Sequence, residues 1–468
     1  MGIKVNTDDT IAAISTAMGT GGIGIIRISG NDAFKITEKI FKNKSGKISD
    51  FKSHTIHYGH ITDNKGTDDK EEIVDEVLVS VMKSPNTYTR EDIVEINCHG
   101  GIKSTEKVLE CVLKNGARMA EPGEFTKRAF FNGRIDLSQA ETVIDIINSK
   151  NDMAHKAAVS RLDGKLSRKV KKCRENILLM LAHIEAAIDY PEHDDEMMTY
   201  DMIEKGCYDI KEEINRLLDT ADTGKIIREG INTVILGRPN VGKSSLLNYL
   251  IDEERAIVTD IPGTTRDIIK EYININGIKL NIIDTAGIRE TNDEIEKMGV
   301  EKSKNYAKDA ELIFMMIDGS NELSTEDREI LESVKDKKKI IIVNKCDLEK
   351  KADIKEIENY ADKKYIVEMS VKEDIGTDRL YEIIKDMFFE GKLSGNDDIF
   401  ISSERNKQSL LKAVKYIDNV VETVENRMPE DFISMDLTEA YSALGEITGE
   451  SLEEDIIDKI FSEFCLGK

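Results

Sequence analysis

The chain has 468 residues and a formal net charge of −24, and 40% of its residues are hydrophobic. This length predicts about three domains, and the acidic charge argues against a protein that coats nucleic acid in general. The six cysteines are scattered without a C-x-x-C pair, which excludes a zinc ribbon and predicts reduced thiols. The sequence has neither an apolar run of about 18 residues nor the apolar segment of a secretory signal. We therefore expect a cytoplasmic protein that does not span a membrane.

Residues 1–132 mix short strands and helices. Strands are predicted at Ile23–Ser29 and Ile93–Asn97, and helices at Asp32–Phe41 and Lys103–Leu113. This mixture is typical of an α+β domain.

Residues 133–228 have the longer periods of a helical domain. Ile177, Leu181, Ile184 and Ile188 recur at spacings of three and four. Such spacing predicts one long amphipathic helix, which Pro191 would stop.

Between residues 229 and 390, strand-like runs alternate with helices. The predicted strands are Thr233–Leu236, Lys279–Ile283, Leu312–Ile317, Lys339–Val343 and Tyr365–Met369. The alternation predicts a doubly wound parallel sheet. A polar stretch and a helical tail follow in residues 391–468. The whole is therefore predicted as a multidomain α/β and α protein, whose helical domain (133–228 and 391–468) is interrupted by an inserted α/β domain (229–390).

The segment Gly237–Ser244 matches G-x-x-x-x-G-K-[ST] and lies between a predicted strand and a predicted helix. Glycines allow backbone N–H groups to surround phosphate oxygens. Lys243 supplies a charge for the β- and γ-phosphates, and the Ser244 hydroxyl is placed to hold Mg²⁺. The segment therefore predicts the phosphate loop of a P-loop (Ras-like) nucleotide domain.

Downstream motifs in the expected order identify the nucleotide as GTP. Asp284 would reach Mg²⁺ through water, and the Gly287 N–H would sense the γ-phosphate. Asp347 can accept hydrogen bonds from N1–H and the exocyclic amine of guanine, and Ser370–Lys372 fits a loop that closes over the base. Thr265 lies in a predicted switch loop and would contact Mg²⁺. The GTP contacts predicted from these motifs are Asn240, Val241, Gly242, Lys243, Ser244, Ser245, Thr265, Asp284, Thr285, Ala286, Gly287, Asn344, Lys345, Asp347, Ser370, Val371 and Lys372.

The hydrolytic step departs from the Ras-like scheme. A Ras-like hydrolase has a water-orienting glutamine directly after the D-x-x-G glycine, where this chain has Ile288. Another group must therefore act, and the candidates are Glu296, Arg266, Arg289 or a bound cation. The Asn240 side chain either helps to hold a monovalent cation or makes only a local turn bond.

Seven segments form a distinctive set along the chain. They are Gly19–Gly30 (GTGGIGIIRISG), Tyr88–Asp92 (YTRED), Cys98–Gly101 (CHGG), Pro122–Glu141 (PGEFTKRAFFNGRIDLSQAE), Gly237–Ser245 (GRPNVGKSS), Asp260–Asp267 (DIPGTTRD) and Phe464–Lys468 (FCLGK). Together they resemble the MnmE (TrmE) family of tRNA-modification GTPases over nearly the whole chain. The N-terminal and C-terminal segments are the specific ones, because other bacterial GTPases share the central motifs.

The resemblance implies a function in tRNA wobble-uridine modification. With an FAD-dependent partner of the MnmG (GidA) type, in a heterotetrameric or larger complex, such proteins add an aminomethyl or carboxymethylaminomethyl group to C5 of the uridine. The one-carbon unit would come from 5-formyl- or 5,10-methylene-tetrahydrofolate. The N-terminal domain would bind this folate and form the homodimer. The implied folate contacts are Arg27, Glu95, Arg134 and Lys468. Cationic side chains suit glutamyl carboxylates, and a carboxylate suits the pterin donors.

The resemblance also implies a K⁺-dependent GTPase that dimerisation activates. Ser244 and Thr265 would hold Mg²⁺, and Glu296 would position the attacking water. Asn240, Thr259, Ile261 and Thr264 would surround K⁺, and Thr259 and Thr264 would also contact GTP. The implied catalytic residues are then Glu296, Asn240 and Thr265.

The sequence leaves alternatives for one cysteine, one basic stretch and the overall function. Cys465 is either a nucleophile in the folate and tRNA chemistry or a structural thiol. The basic stretch Lys165–Arg174 is either a solvated helix face or a contact to tRNA phosphates. An alternative function is that of a ribosome-assembly GTPase of the Era or Der kind, although the helical tail lacks the G-x-x-G loop of a KH module.

Overall fold

The computed structural model describes residues 9–44, 46–64, 71–189, 196–253, 271–275, 277–283, 308, 310–389 and 399–468. The chain divides into two compact units. The first comprises Met1–Ile144, Arg161–Lys211 and Ser409–Lys468, and the second comprises Asp145–Ser160 and Glu212–Gln408.

Helices account for much of the described chain. In chain order they are α1 (Ala33–Ile40), α2 (Ile102–Lys114), α3 (Glu124–Phe131), α4 (Leu137–Asn148), α5 (Asp152–Leu162), α6 (Lys165–Asp189), α7 (Glu196–Leu218), α8 (Ala221–Glu229), α9 (Lys243–Glu253), α10 (Thr325–Ser333), α11 (Ile354–Ile357), α12 (Thr377–Phe389), α13 (Glu404–Glu425), α14 (Glu430–Thr448) and α15 (Glu454–Ser462). Short 3-10 helices occur at Ile48–Asp50 and Lys363–Tyr365. The predicted helices in residues 32–41 and 103–113 and the helical tail are confirmed.

The first unit contains a seven-stranded sheet. Its strands are β1 (Ile11–Ile14), β2 (Ile23–Ser29), β3 (Phe41–Lys42), β4 (Thr55–Asn64), β5 (Glu71–Met82), β6 (Ile93–His99) and β7 (Arg118–Met119). Their order is β3-β4-β5-β6-β2-β1-β7, and all pairs are antiparallel except β1 with β7. Both strands predicted from the sequence are present, and β6 extends two residues beyond the prediction.

Helices α1 and α2 cover one face of this sheet. Ile36 from α1 and Val112 from α2 share a buried core with Ile26 and Ile96 of the central strands. Because side chains alternate along a strand, Arg27 and Glu95 lie on the opposite face, where they are direct cross-strand partners. The sheet thus presents an ion pair on the face that α1 and α2 leave open.

Helix α6 confirms the predicted long helix, but its buried face differs from the predicted set of apolar residues. Ile177 and Ile184 are fully buried, whereas Ile188 is 48% exposed. Packing against α14 fixes the buried face instead: the Arg174 guanidinium carbon lies 4.1 Å from the centre of the Tyr441 ring. The periodicity therefore identified the helix but not where its contacts end.

The second unit contains the predicted parallel sheet. Its strands are β8 (Ile231–Leu236), β9 (Glu271–Ile275), β10 (Ile278–Ile282), β11 (Leu312–Asp318), β12 (Lys339–Asn344) and β13 (Ile366–Glu368), in the order β13-β12-β11-β8-β10-β9. Among the described strands of this sheet, β9 alone pairs antiparallel; it lies at the sheet edge and was not predicted from the sequence. The five predicted strands are confirmed to within one or two residues.

Alternating side chains of these strands build two cores, one on each face. Phe314 and Ile342 pack with Leu246 of α9 on one face. Met315 and Ile341 pack with Leu331 of α10 on the other. Burial on both faces is what a doubly wound sheet requires, and the carboxyl ends of its parallel strands are where ligands bind in such folds.

Candidate functional site

The phosphate loop connects β8 to α9, as the sequence predicts. Gly237 and Gly242 have positive φ angles of 148° and 106°. A Cβ on Gly242 would lie 2.4 Å from the Asn344 side-chain nitrogen, so glycine is needed there for close approach. The Lys243 ammonium donates to the carbonyls of Gly237 (2.8 Å) and Arg238 (2.9 Å), and so it lies over its own loop.

Two side chains of the segment Asn344–Asp347 bind the phosphate loop directly. The Asn344 side-chain amide donates to the Val241 carbonyl (2.8 Å) and accepts from the Val371 N–H (3.2 Å). The Lys345 ammonium donates to the Asn240 carbonyl (3.1 Å). The structure therefore brings together three predicted segments, which lie around residues 240, 345 and 371.

Asp347 lies beside the predicted base-closing loop. The buried Ser370 hydroxyl donates to the Asp347 carboxylate at 2.6 Å. Lys372 is exposed, and its ammonium group lies 3.4 Å from the carboxylate of the next residue, Glu373. A carboxylate fixed at this position can accept two parallel hydrogen bonds from a guanine edge, and adenine does not offer that donor pair.

Ser244 and Ser245 form the first turn of α9, and both are exposed. At the N-terminus of a helix, backbone N–H groups and the helix dipole favour an anion. The other predicted contacts to nucleotide, Mg²⁺ and K⁺ lie outside the described residues; they are Thr259, Ile261, Thr264, Thr265, Asp284, Thr285, Ala286, Gly287 and Glu296.

A second group of polar side chains lies in the first unit, on the open face of its sheet. Arg27 binds Glu95 at 2.8 Å. The Tyr88 ring contacts two guanidinium groups: its centre is 5.6 Å from the guanidinium carbon of Arg27 and 4.7 Å from that of Arg134. Burial, and next the repulsion from Arg27, lower the pKa of Lys468. All four predicted folate contacts therefore lie close together, and we call this group of side chains the C-terminal pocket.

The C-terminal segment docks beside α3 and β1, and this docking places Lys468 in the group. The Ser15 hydroxyl donates to the Gly467 carbonyl (3.0 Å), and the Gly123 N–H donates to the Cys465 carbonyl (3.4 Å). Phe464 is 5% exposed, whereas Cys465 is exposed. The backbone of Cys465 is thus fixed and its thiol is accessible.

All six cysteines lie among the described residues, and none of them forms a disulfide. Four of them are buried, and burial raises the pKa of Cys98 to about 11 and that of Cys207 to about 12. Within the part of the chain that the structure describes, no three His, Cys, Asp or Glu side chains are grouped to hold a metal. No described helix combines the length and the apolar character needed to cross a membrane.

Comparison with known proteins assigns the family. Residues 10–134 match the family described as GTP-binding protein TrmE N-terminus, and residues 137–465 match the MnmE helical domain. The chain belongs to the MnmE (TrmE) family. A tRNA modification GTPase MnmE from Alkaliphilus oremlandii (strain OhILAs) is 52% identical over 98% of this chain and 99% of the relative. The MnmE from Clostridioides difficile (strain 630) is 50% identical over the same shares.

The MnmE assignment agrees with the architecture. The helical-domain match spans the six-stranded sheet, as expected where a G domain interrupts a helical domain, and the predicted fold class is confirmed. Among solved structures, the G domain of the T. maritima FeoB iron transporter is 24% identical over 33% of this chain and 97% of that chain, with a TM-score of 0.25. A score this low adds nothing to the assignment.

Sequence reasoning missed two residues of this MnmE chain that the geometry singles out. Tyr88 was part of a signature segment but had no assigned role, although it contacts both arginines of the C-terminal pocket. Asp318 binds Lys345 at 2.7 Å at the end of β11. An aspartate that ends a buried strand beside the phosphate loop was the available signal for the second residue.

Proposed function

This protein is a GTPase, and we propose that it acts in tRNA modification as the GTP-hydrolysing component of wobble-uridine C5 modification. It would add an aminomethyl or carboxymethylaminomethyl group together with an FAD-dependent partner of the MnmG type. The observation that carries the proposal is the C-terminal pocket, in which Arg27, Glu95, Arg134 and Lys468 meet in a chain that also has guanine-nucleotide loops. A GTPase that acts only as a switch does not require such a pocket.

The nucleotide loops support GTP as the substrate. Asp347 is held by Ser370, and the phosphate loop is joined to the base-recognition segment through Asn344. Ser244 would hold Mg²⁺, and its exposed position in the first turn of α9 fits that role. Asn240, whose backbone has a positive φ of 64°, would be one ligand of K⁺. Thr259, Ile261 and Thr264 would be the others.

We expect the C-terminal pocket to bind a tetrahydrofolate. Two arginines and a partly buried lysine would bind glutamyl carboxylates through charge-assisted hydrogen bonds. Glu95 would accept from pterin N–H groups, and Tyr88 offers an aromatic face. When bound, the folate would supply a one-carbon unit. The exposed Cys465 thiol would lie beside it, and its role as a nucleophile stays a hypothesis.

Formation of a homodimer is part of the proposal. The open face of the seven-stranded sheet carries Ile56, Tyr58 and Leu78, which are 65%, 57% and 46% exposed. Tyr58 and Leu78 are direct cross-strand partners, so they form a continuous apolar surface. Residues 1–132 would thus bind both folate and the second protomer, residues 229–390 would hydrolyse GTP, and residues 133–228 and 391–468 would form the helical domain.

The decisive experiment is nucleoside analysis of tRNA from cells that lack this protein. We expect the C5 groups of the wobble uridine to be lost and to return with the wild-type gene. They should not return with Asp347→Asn, because an amide has one accepting oxygen and its NH₂ group would face the second of the two guanine donors. Intact wobble uridines together with unassembled ribosomal subunits would refute the proposal in favour of the Era or Der kind of function.

A second experiment tests the cation. GTP turnover by the purified protein should be much faster in KCl than in NaCl, because a cation of matched size would supply the charge that the Ras-like scheme obtains elsewhere. Asn240→Ala should remove the difference between the two salts. Equal turnover of the wild type in both salts would exclude the proposed role of K⁺.

A further inference from the structure

Asp318 is a buried carboxylate at the carboxyl end of β11 and is 5% exposed. One of its oxygens accepts from the Ser320 N–H (3.0 Å) and the Ser320 hydroxyl (2.6 Å). The other accepts from the Asn321 amide (3.1 Å) and the Lys345 ammonium (2.7 Å). Burial alone would raise the pKa of Asp318, but the hydrogen bonds from Lys345 and Ser320 lower it to about 2. Asp318 is therefore an anion at every physiological pH.

Lys345 connects this anion to the phosphate loop. Its ammonium group donates to Asp318 and also to the Asn240 carbonyl at 3.1 Å. Both ends of the second contact have unusual backbones, because Lys345 has a φ of 65° and Asn240 a φ of 64°. A non-glycine residue with a positive φ is strained and persists only where its surroundings hold it. Asp318 is the charged group that holds the Lys345 side chain in place.

Neighbouring contacts join the base-recognition segment to the phosphate loop at this point. Asp318 lies directly beside Asn344 in the parallel pair of β11 with β12, and Asn344 binds the Val241 carbonyl. The backbone that carries the base-recognition residues is thus attached twice to the phosphate loop, once through Asn344 and once through Lys345. The second attachment depends on a side chain with a flexible four-carbon stem, and it needs a fixed anion to select one geometry.

We propose that Asp318 is a positioning residue for the bound guanine nucleotide: it holds Lys345 against the Asn240 carbonyl, so that the base-recognition segment and the phosphate loop keep a fixed separation. The inference rests on the proposed GTP binding and deepens it. Asp318 acts through Lys345 and touches no reacting atom. It therefore stabilises the nucleotide in the ground state and the transition state alike.

The test is equilibrium binding of a fluorescent GDP analogue to the full-length protein. Asp318→Asn keeps the size of the side chain and removes its charge. We expect the Kd to rise about tenfold, the value for one charge-assisted hydrogen bond. The Kd of a non-hydrolysable GTP analogue should rise by the same factor. Because binding is affected uniformly, KM for GTP should rise while kcat at saturating GTP is unchanged.

Three further variants separate positioning from a structural role. Lys345→Met should raise the Kd at least as much as Asp318→Asn, because it removes the contact to Asp318 together with the contact to Asn240. The double variant should then be no worse than Lys345→Met alone. Ser320→Ala removes a hydrogen bond that shapes the turn after Asp318 but leaves Lys345 in place, so its Kd should stay near that of the wild type. Glu356→Gln is the matched control, since it removes the charge of another ion pair, at 2.6 Å from Arg328, outside the site.

The possible outcomes are distinct. The proposal is overturned if Asp318→Asn binds GDP like the wild type, if the effects of the two single variants multiply in the double variant, or if Ser320→Ala weakens binding as much as Asp318→Asn. If Asp318→Asn does not fold, the partly exposed Lys345 carries the test, and an unchanged Kd in Lys345→Met overturns the proposal. A wild-type protein that binds no guanine nucleotide would instead refute the proposed function.

Discussion

The docking of the C-terminal segment depends on Gly123, which precedes α3. This residue has a φ of 70°, and a Cβ there would lie 2.5 Å from the Phe461 carbonyl and 2.8 Å from the Phe464 Cβ. Both distances are well inside 3.4 Å, where ordinary van der Waals contact begins. Gly123→Ala would therefore strain the backbone and also displace α15 from α3.

The magnitude follows from these two effects. A left-handed conformation costs an L-residue about 1–2 kcal/mol, and overpacking costs typically another 1–3 kcal/mol. We expect Gly123→Ala to destabilise the docking of α15 by about 3 kcal/mol. Gly277→Ala is the control, because its φ of 91° gives comparable strain while its nearest contact would be the Met153 sulfur at 3.6 Å.

Hydrogen exchange of the backbone amides in α15 is the assay. About 3 kcal/mol corresponds to roughly a hundredfold faster exchange where exchange follows local opening. The affinity for 5-formyltetrahydrofolate should fall in parallel, because Lys468 lies on the displaced segment. If α15 exchanges at the same rate in Gly123→Ala, Gly277→Ala and the wild type, then Gly123 does not govern the docking and the reasoning is refuted.

Three other predictions concern single side chains. Tyr88→Leu should weaken 5-formyltetrahydrofolate binding about tenfold, because two cation–π contacts are lost. Tyr88→Phe keeps the aromatic ring and should bind nearly normally. Calorimetry measures the affinity of both variants. Burial, followed by the nearby Glu450, raises the pKa of Asp136, so its carboxyl stabilises the fold below the usual aspartate pKa and loses that contribution as pH rises. Asp136→Asn should therefore melt at a higher temperature than the wild type at pH 8 and show no gain near pH 4, whereas an equal gain at both pH values would contradict the assignment. Native thiol titration at pH 8 should detect one fast-reacting cysteine, which Cys465→Ser removes. Cys465 is exposed, four other cysteines are buried, and burial raises the pKa of the partly exposed Cys346. A fast signal that persists in this variant would contradict the structure.

The nucleotide loops were predictable from the sequence because each is a short contiguous motif in a required strand context. Gly237–Ser244 follows β8, and Asn344–Asp347 follows β12, as the apolar runs indicate. The family resemblance likewise implied which residues meet in the C-terminal pocket. These residues lie together although they come from opposite ends of the chain.

The remaining features depend on contacts between distant segments. Tyr88 stacks on arginines from β2 and from the segment before α4, and no local pattern encodes that meeting. The antiparallel strand β9 was missed because pairing with β10 at the sheet edge determines its conformation. The exposure of Ile188 likewise follows from where tertiary packing ends and not from the period of the helix.

The discontinuous first unit has a consequence for synthesis on the ribosome. Its third segment, Ser409–Lys468, emerges only after all of the second unit has been made. The contact between Ser15 and Gly467 joins residues separated by 452 positions, and contacts of such separation form slowly because they close a large loop. The α3 surface that binds Phe461 and Phe464 therefore stays uncovered during translation. We expect nascent chains to need protection at that apolar surface until release, while the inserted G domain can already bind nucleotide.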